Sequence, residues 1–172
     1  MPKLFIKTLP SQEELHQSAC QIYTKADPMT IYTNLLFRKL STDIENINDN
    51  FFAKYDLSPG RYTLLLLLKK SPSGLMPSEL AHKVGVTQAT ISGLINSLEK
   101  AELVARESHE KDGRAYVIKL TTKGQNLIQK IAPEWYPRVS NFWNQFNDSE
   151  KKQLNALFER MIQNIGLWEV EE

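Results

Sequence analysis

The strongest constraint on this chain is the order of local signals between Met76 and Arg114: a helix, a tight turn, a second helix and a hairpin. Pro77–Val84 opens on proline, whose missing N–H costs nothing in a first helical turn, and sets Leu80, Ala81 and Val84 on one face. Gly85 comes next, the residue type that tolerates the left-handed conformation just past a helix end, and Val86 is expected to pack the turn. Thr87 can cap the second helix by accepting a hydrogen bond from a first-turn N–H. The core stripe of that helix is Ile91, Leu94, Ile95 and Leu98. Its outer face holds Thr87, Gln88, Ala89, Thr90, Ser92, Gly93 and Asn96, small or amide-bearing residues without a carboxylate. A face of that kind can approach a polyanion closely and offer amides and hydroxyls to base edges in a major groove. An alternating run, Leu103–Glu107, then leads through a polar loop with Lys111, Asp112 and Gly113 into Arg114–Leu120, which predicts a two-stranded ribbon with a charged tip. The order as a whole predicts a winged helix-turn-helix.

The same segment resembles the MarR (multiple antibiotic resistance regulator) family of bacterial transcription factors. The matching residues are Pro77-Ser78-Glu79-Leu80-Ala81, Val86-Thr87-Gln88-Ala89-Thr90-Ile91-Ser92, Leu98-Glu99-Lys100, Leu103-Val104 with Arg106, Asp112-Gly113-Arg114, and Leu120-Thr121-Thr122-Lys123-Gly124. The Asp-x-Arg wing with Leu-Thr-x-x-Gly after it is the most specific part. The resemblance implies a dimeric repressor whose recognition helix enters the major groove and whose wing arginine enters the minor groove of double-stranded DNA. On that reading Arg114 and Lys111, with Arg106 at the base of the wing, supply charge to phosphates or the minor groove, Asp112 orients Arg114, and Gln88, Thr90, Ser92 and Asn96 read or flank bases. Two positions depart from the family pattern: Glu102 stands where glycine is usual, and Met76 where a serine or threonine cap is usual.

A length of 172 residues suits one core of ordinary size. The expectation is a single domain over 1–172, mainly α with a small β-wing, in which 56–124 is the DNA-binding module and 1–55 and 125–172 are dimerisation helices. Overall charge is +1 and carries no nucleic-acid signal. Its distribution is modestly asymmetric, weak evidence on its own: 56–123 has ten basic and seven acidic residues, whereas 148–172 has three basic and six acidic. The longest apolar run, Leu64–Leu68, is far too short to span a bilayer, and residues 1–25 lack the apolar stretch of a signal peptide, so a cytoplasmic protein without membrane contact is expected.

Toward the N-terminus, Ser11-x-x-Glu14 is a capping box for a short helix to about Thr24. Asp27-Pro28, a cap and a first-turn proline, opens a helix to about Lys54 with Ile31, Leu35, Leu40, Ile44, Ile47 and Phe51 as its stripe. At 1.5 Å per residue it would be roughly 40 Å long, enough to reach beyond its own subunit's core. Leu57-Ser58-Pro59 restarts the chain, and Arg61–Lys70 is expected to be a buried helix. After the wing, Thr121 caps a helix to about Ala132, Pro133 and Pro137 are expected to interrupt or kink the next segment, and Asn147-x-x-Glu150 opens a last helix ended by Gly166. The apolar residues of the terminal helices, pairing across a two-fold axis, would form the homodimer.

Three function classes compete. A DNA-binding regulator accounts for the recognition face, the wing and the terminal helices. A winged-helix module for protein–protein contact would carry apolar residues where the outer face of helix 88–100 is polar. An enzyme would need convergent titratable groups: the single cysteine, Cys20, the separated His16, His82 and His109, and the lack of a phosphate loop or His-Glu-x-x-His run offer none, and no cofactor or metal is implied. The family resemblance adds a small phenolic, carboxylate or hydrophobic effector, for which Phe51, Phe52, Tyr55, Arg61 and Tyr62 are the expected pocket. An alternative is a peroxide-sensing regulator acting through Cys20, although Lys25 is the only positively charged neighbour the sequence offers it.

Overall fold

The computed structural model describes residues 7–23, 25, 27–109 and 112–168, with the side chains at 16, 19, 20, 109 and 112–115 outside the description. The elements run α1 (Gln12–Ile22), α2 (Pro28–Ala53), α3 (Pro59–Lys69), α4 (Pro77–Val84), α5 (Gln88–Lys100), β1 (Val104–His109), β2 (Asp112–Leu120), α6 (Thr122–Trp143), α7 (Asp148–Gln163) and a short 3-10 helix (Ile165–Trp168). The protein is mainly helical, with a two-stranded antiparallel wing. It divides into two compact units, one ending at Leu120 and one beginning at Thr121.

Within the first unit, local chemistry fixes where helices begin. The Ser11 hydroxyl accepts from the Glu14 N–H at 3.1 Å while the Glu14 carboxylate accepts from the Ser11 N–H at 2.7 Å, a complete capping box for α1. Asp27 accepts from the N–H groups of Met29 and Thr30, both at 3.1 Å, and Pro28 takes the first turn of α2. Ser58 caps α3, which starts at Pro59, two residues earlier than the sequence pattern places it. Met76 has no hydroxyl to offer, yet its own N–H is taken by the Glu79 carboxylate at 2.7 Å, so half of a capping box survives without the usual serine or threonine.

The core of this unit is Phe51, Phe52, Tyr62, Leu64, Leu65, Leu68, Leu80, Ile91, Ile95, Leu98, Val104 and Ile118. Burying Ile91, Ile95 and Leu98 stabilises α5 against the module by about 2 kcal/mol each. α3 lies against both α5 and β2, α4 against α5, and α1 along α2. The loop before α4 adds a bridge to the wing, with Leu75 and Ile118 exchanging backbone hydrogen bonds of 3.1 and 2.8 Å. Gly74 permits that approach: a Cβ there would stand 2.9 Å from the Ile118 carbonyl oxygen, and its φ of 87° lies in the left-handed region. Gly85 ends α4 at φ 71° and ψ 37°, as the sequence predicts. Val86 does not pack the turn as expected. It is 37% exposed, and the turn is closed by backbone hydrogen bonds to the Ala81 carbonyl, from Gly85 at 2.9 Å and Val86 at 3.2 Å.

In the second unit, Thr121 caps α6 by accepting from the Gly124 N–H at 3.0 Å. Pro133 and Pro137 do not end this helix, which continues to Trp143. Both prolines are on exposed positions spaced four apart, so the carbonyls they leave without an N–H partner, those of Gln129 and Pro133, lie along one solvent-facing line where water can satisfy them. Asn147 and Glu150 form the expected capping box of α7, at 2.7 and 3.0 Å. That helix stops at Gln163 with Asn164 as its cap, and Gly166 falls inside the 3-10 turn instead of ending the helix.

Candidate nucleic-acid interface

The α4–turn–α5 unit presents the first candidate surface. The Thr87 hydroxyl accepts from the Thr90 N–H at 3.2 Å and lies 3.0 Å from the Thr90 hydroxyl, so cap and first turn are tied together. With Ile91, Ile95 and Leu98 turned inward, the helical period leaves Thr87, Gln88, Ala89, Thr90, Ser92, Gly93 and Asn96 all exposed. No acidic residue lies in the first turn of α5, and the unpaired N–H groups and dipole of a helix start favour an approaching anion.

The wing supplies the second surface. β1 and β2 pair in the register Val104 with Leu120, Arg106 with Ile118 and Ser108 with Tyr116, and the pairing is irregular between Ser108 and His109. Alternation therefore puts Arg106 and Tyr116 on the face that carries buried Val104 and Ile118, while Glu107 and Lys119 pair on the other face at 2.7 Å. Arg106 reaches across to α5: its Nη2 donates to the Asn96 Oδ1 at 2.5 Å, its Nε lies 3.5 Å from a Glu99 carboxylate oxygen, and its guanidinium stacks over the Tyr116 ring at 5.2 Å. Two residues expected to meet DNA separately, Asn96 and Arg106, are thus joined to each other. The sequence assigned no role to Glu99, named only within the family match, or to Tyr116. The available signals were the i, i+3 spacing of Asn96 and Glu99 and the strand alternation that puts Tyr116 beside Arg106. Lys111 lies outside the described residues. The backbones of Asp112 and Arg114 are in β2, which begins two residues before the expected Arg114, and their side chains are outside the description.

The expected effector residues come together at the junction of α2 and α3. Phe51, Phe52 and Tyr62 are buried, with ring centroids 5.2 Å apart for Phe51 and Phe52 and 4.6 Å for Phe52 and Tyr62. Tyr55 borders the cluster, 5.7 Å from Phe51. Arg61 donates from Nη1 to the Asp56 carbonyl at 3.1 Å, and its Nε is buried with no hydrogen-bond partner among the described residues. Cys20 belongs to α1, and its side chain is outside the description.

A family model described as MarR family matches residues 55–115. The HTH-type transcriptional repressor YetL of Bacillus subtilis is 31% identical over 91% of this chain and 96% of its own length. The HTH-type transcriptional regulator PecS of Dickeya dadantii is 27% identical, over 81% of this chain and 84% of PecS. Among solved structures, MepR of Staphylococcus aureus in its DNA complex is similar with a TM-score of 0.70 and 24% identity, covering 76% of this chain and 96% of MepR. A MarR protein from Peptoclostridium difficile reaches 0.64 at 25% identity, covering 95% of this chain and 93% of that one. Polar recognition helix, wing and near full-length similarity agree: the chain belongs to the MarR family of winged helix-turn-helix, DNA-binding transcriptional regulators and is not an enzyme.

Proposed function

We propose that this protein is a cytoplasmic repressor that binds a pseudo-palindromic operator as a homodimer and is released by a small aromatic or anionic ligand. The observation that carries the DNA half of this reading is the acid-free exposed face of α5, from Thr87 to Asn96, beside a wing built from β1 and β2. Gln88, Thr90 and Ser92 read or flank bases in the major groove, and Arg114 and Lys111 serve phosphates or the minor groove, with Asp112 orienting Arg114. One recognition helix per chain requires two chains for a palindrome, with half-site centres about 10 bp apart. The sign of regulation is supported by YetL, a relative named as a repressor.

The effector half rests on the Phe51–Phe52–Tyr62 cluster and the buried Nε of Arg61 beside it. Because the rings already touch, a ligand has to part them, with Tyr55 at the rim the natural element to yield. An aromatic carboxylate would replace the lost ring contacts and give Arg61 an anionic partner. Parting α2 from α3 changes where each module stands in the dimer, and a ligand that binds the parted state about 100-fold better shifts the equilibrium by close to 3 kcal/mol.

The test is selection of bound duplexes from a random pool, and then titration of salicylate-like compounds into the protein–operator complex. A palindromic consensus with release by ligand, weakened in Arg61→Ala, is the expected result. No selected consensus refutes the DNA reading. Compounds that bind the free protein without moving the DNA isotherm refute the effector.

A further inference from the structure

We propose that Arg106 is a positioning residue: its guanidinium, held by Asn96, Glu99 and the Tyr116 ring, pins the wing to the recognition helix and sets the reach between the two DNA-contacting elements. The inference rests on the reading of α5 and the wing as those elements, and it assigns a different role to two residues within them. Arg106 starts on β1, and its partners come from α5 and β2, so one planar group joins all three elements where they converge. Arginine suits such a place because its donors form a rigid fork and its face stacks on an aromatic ring, neither of which lysine reproduces.

Two arguments separate a pin from a direct contact. An asparagine that reads adenine bidentately aims both its carbonyl oxygen and its amide nitrogen at the base edge, whereas the hydrogen bond from Arg106 at 2.5 Å turns the Asn96 Oδ1 toward the wing. Asn96 therefore serves the wing and not the base sequence. Secondly, Glu99 puts a carboxylate next to Arg106, with side chains 39% and 38% exposed. As an attractor of phosphate the pair is self-cancelling, since the acid neutralises the base beside the very surface that must meet a polyanion. As a geometric device it is consistent, because a carboxylate and an amide on successive turns of α5 hold the guanidinium from the helix side while Tyr116 backs it from the strand side.

The discriminating variant is Glu99→Gln. If Arg106 acts through phosphate, removing the nearby acid should leave operator affinity unchanged or raise it. If Arg106 positions the wing, affinity should fall, by about tenfold for a coupled pair of this kind, despite the loss of a repelling charge. Using the duplex selected by the wild-type protein, Arg106→Ala and Arg106→Lys should fall by a similar factor, and Glu99→Gln combined with Arg106→Ala no further than either alone. Hydroxyl-radical protection by the wing should shrink, while base preference under α5 persists in Asn96→Ala. In the free protein, amide ¹⁵N relaxation should show β1 gaining mobility in Arg106→Ala and Glu99→Gln. Equal or tighter binding by Glu99→Gln, wild-type binding by Arg106→Lys, or relaxed base preference in Asn96→Ala would overturn the proposal. A wild-type protein that selects no duplex would count against the DNA reading instead, and the free-protein relaxation would still decide: β1 as rigid in Arg106→Ala as in wild type removes the pin.

Discussion

Glu102 adopts φ 61°, a left-handed conformation in which a Cβ crowds the next carbonyl. The position is fixed by the end of α5: Leu103 donates to the Leu98 carbonyl at 2.9 Å and Glu102 to the Glu99 carbonyl at 2.8 Å, the paired hydrogen bonds of a Schellman motif. The turn usual for glycine is thus kept, and a glutamate is strained into it. Glu102→Gly should raise stability by about 0.5–1 kcal/mol, less than the full strain because glycine also enlarges the unfolded ensemble. Urea midpoints check this, and Glu102→Val should shift the midpoint the opposite way. At this scale the exposed residues of α5 were legible because helical period is rigid once Ile91, Ile95 and Leu98 are known to face inward. The Asn96–Arg106 hydrogen bond was not, since it joins residues ten apart whose meeting depends on how the wing folds back. The exposure of Val86 was missed for a similar reason: apolar character alone cannot tell a turn closed by side-chain packing from one closed by its backbone.

Elements were most legible at their starts, where chemistry is local. Ser11 with Glu14, Asp27 with Pro28, Thr87, Thr121 and Asn147 with Glu150 all cap as their spacing predicts. The Asp27 cap has a pH consequence. Hydrogen bonds from the Thr30 hydroxyl first, then from the Met29 and Thr30 N–H groups, hold its carboxyl below the usual aspartate value of 3.8. A lowered folded pKa means that the cap's contribution is fully present above the unfolded value and is lost as pH falls through the folded one, so the window lies below 3.8. The Thr30 amide resonance should titrate with a midpoint below 3.8, and Asp27→Asn, which caps without titrating, should abolish that transition while keeping α2. Helix interiors were less legible. Pro133 and Pro137 favour a break locally, but α6 continues, because their cost is that of missing hydrogen bonds on a wet face and does not forbid the fold. Pro133→Ala and Pro137→Ala should each stabilise α6, by up to about 3 kcal/mol, and a thermal midpoint that falls in both would refute this account.

For the whole molecule, the decisive feature is apolar surface that one chain leaves exposed. Ile22, Met29, Phe37 and Ile47 are exposed on α1 and α2, and Ile162, Ile165, Leu167 and Trp168, at 71%, 67%, 84% and 71% exposure, lie on α7 and the 3-10 turn. A groove of about 310 Å³ between Trp143, Leu154 and Phe158 adds to that surface in the second unit. Large apolar side chains left in contact with water over several helical turns mark contact sites on soluble proteins, and a stable interface buries roughly 1,200–2,000 Å². In the sequence, the family resemblance implies a dimer and the stripes of these helices suggest its surface, but period shows which residues share a face and not what covers it. If a second copy covers them, sedimentation should give a species of about twice 19.8 kDa. Ile162→Glu would then place like charges at an apolar contact and shift the equilibrium toward monomers, and deletion of 148–172 should leave monomers or aggregates. Operator affinity should fall in both by roughly 100-fold or more, because the second half-site is no longer bound as an intramolecular event. The recognition helix would be untouched, so single half-site binding at low salt should persist in Ile162→Glu. A truncated chain that remains dimeric and binds the full operator normally would remove the C-terminal helix from the interface and leave its apolar face to another partner.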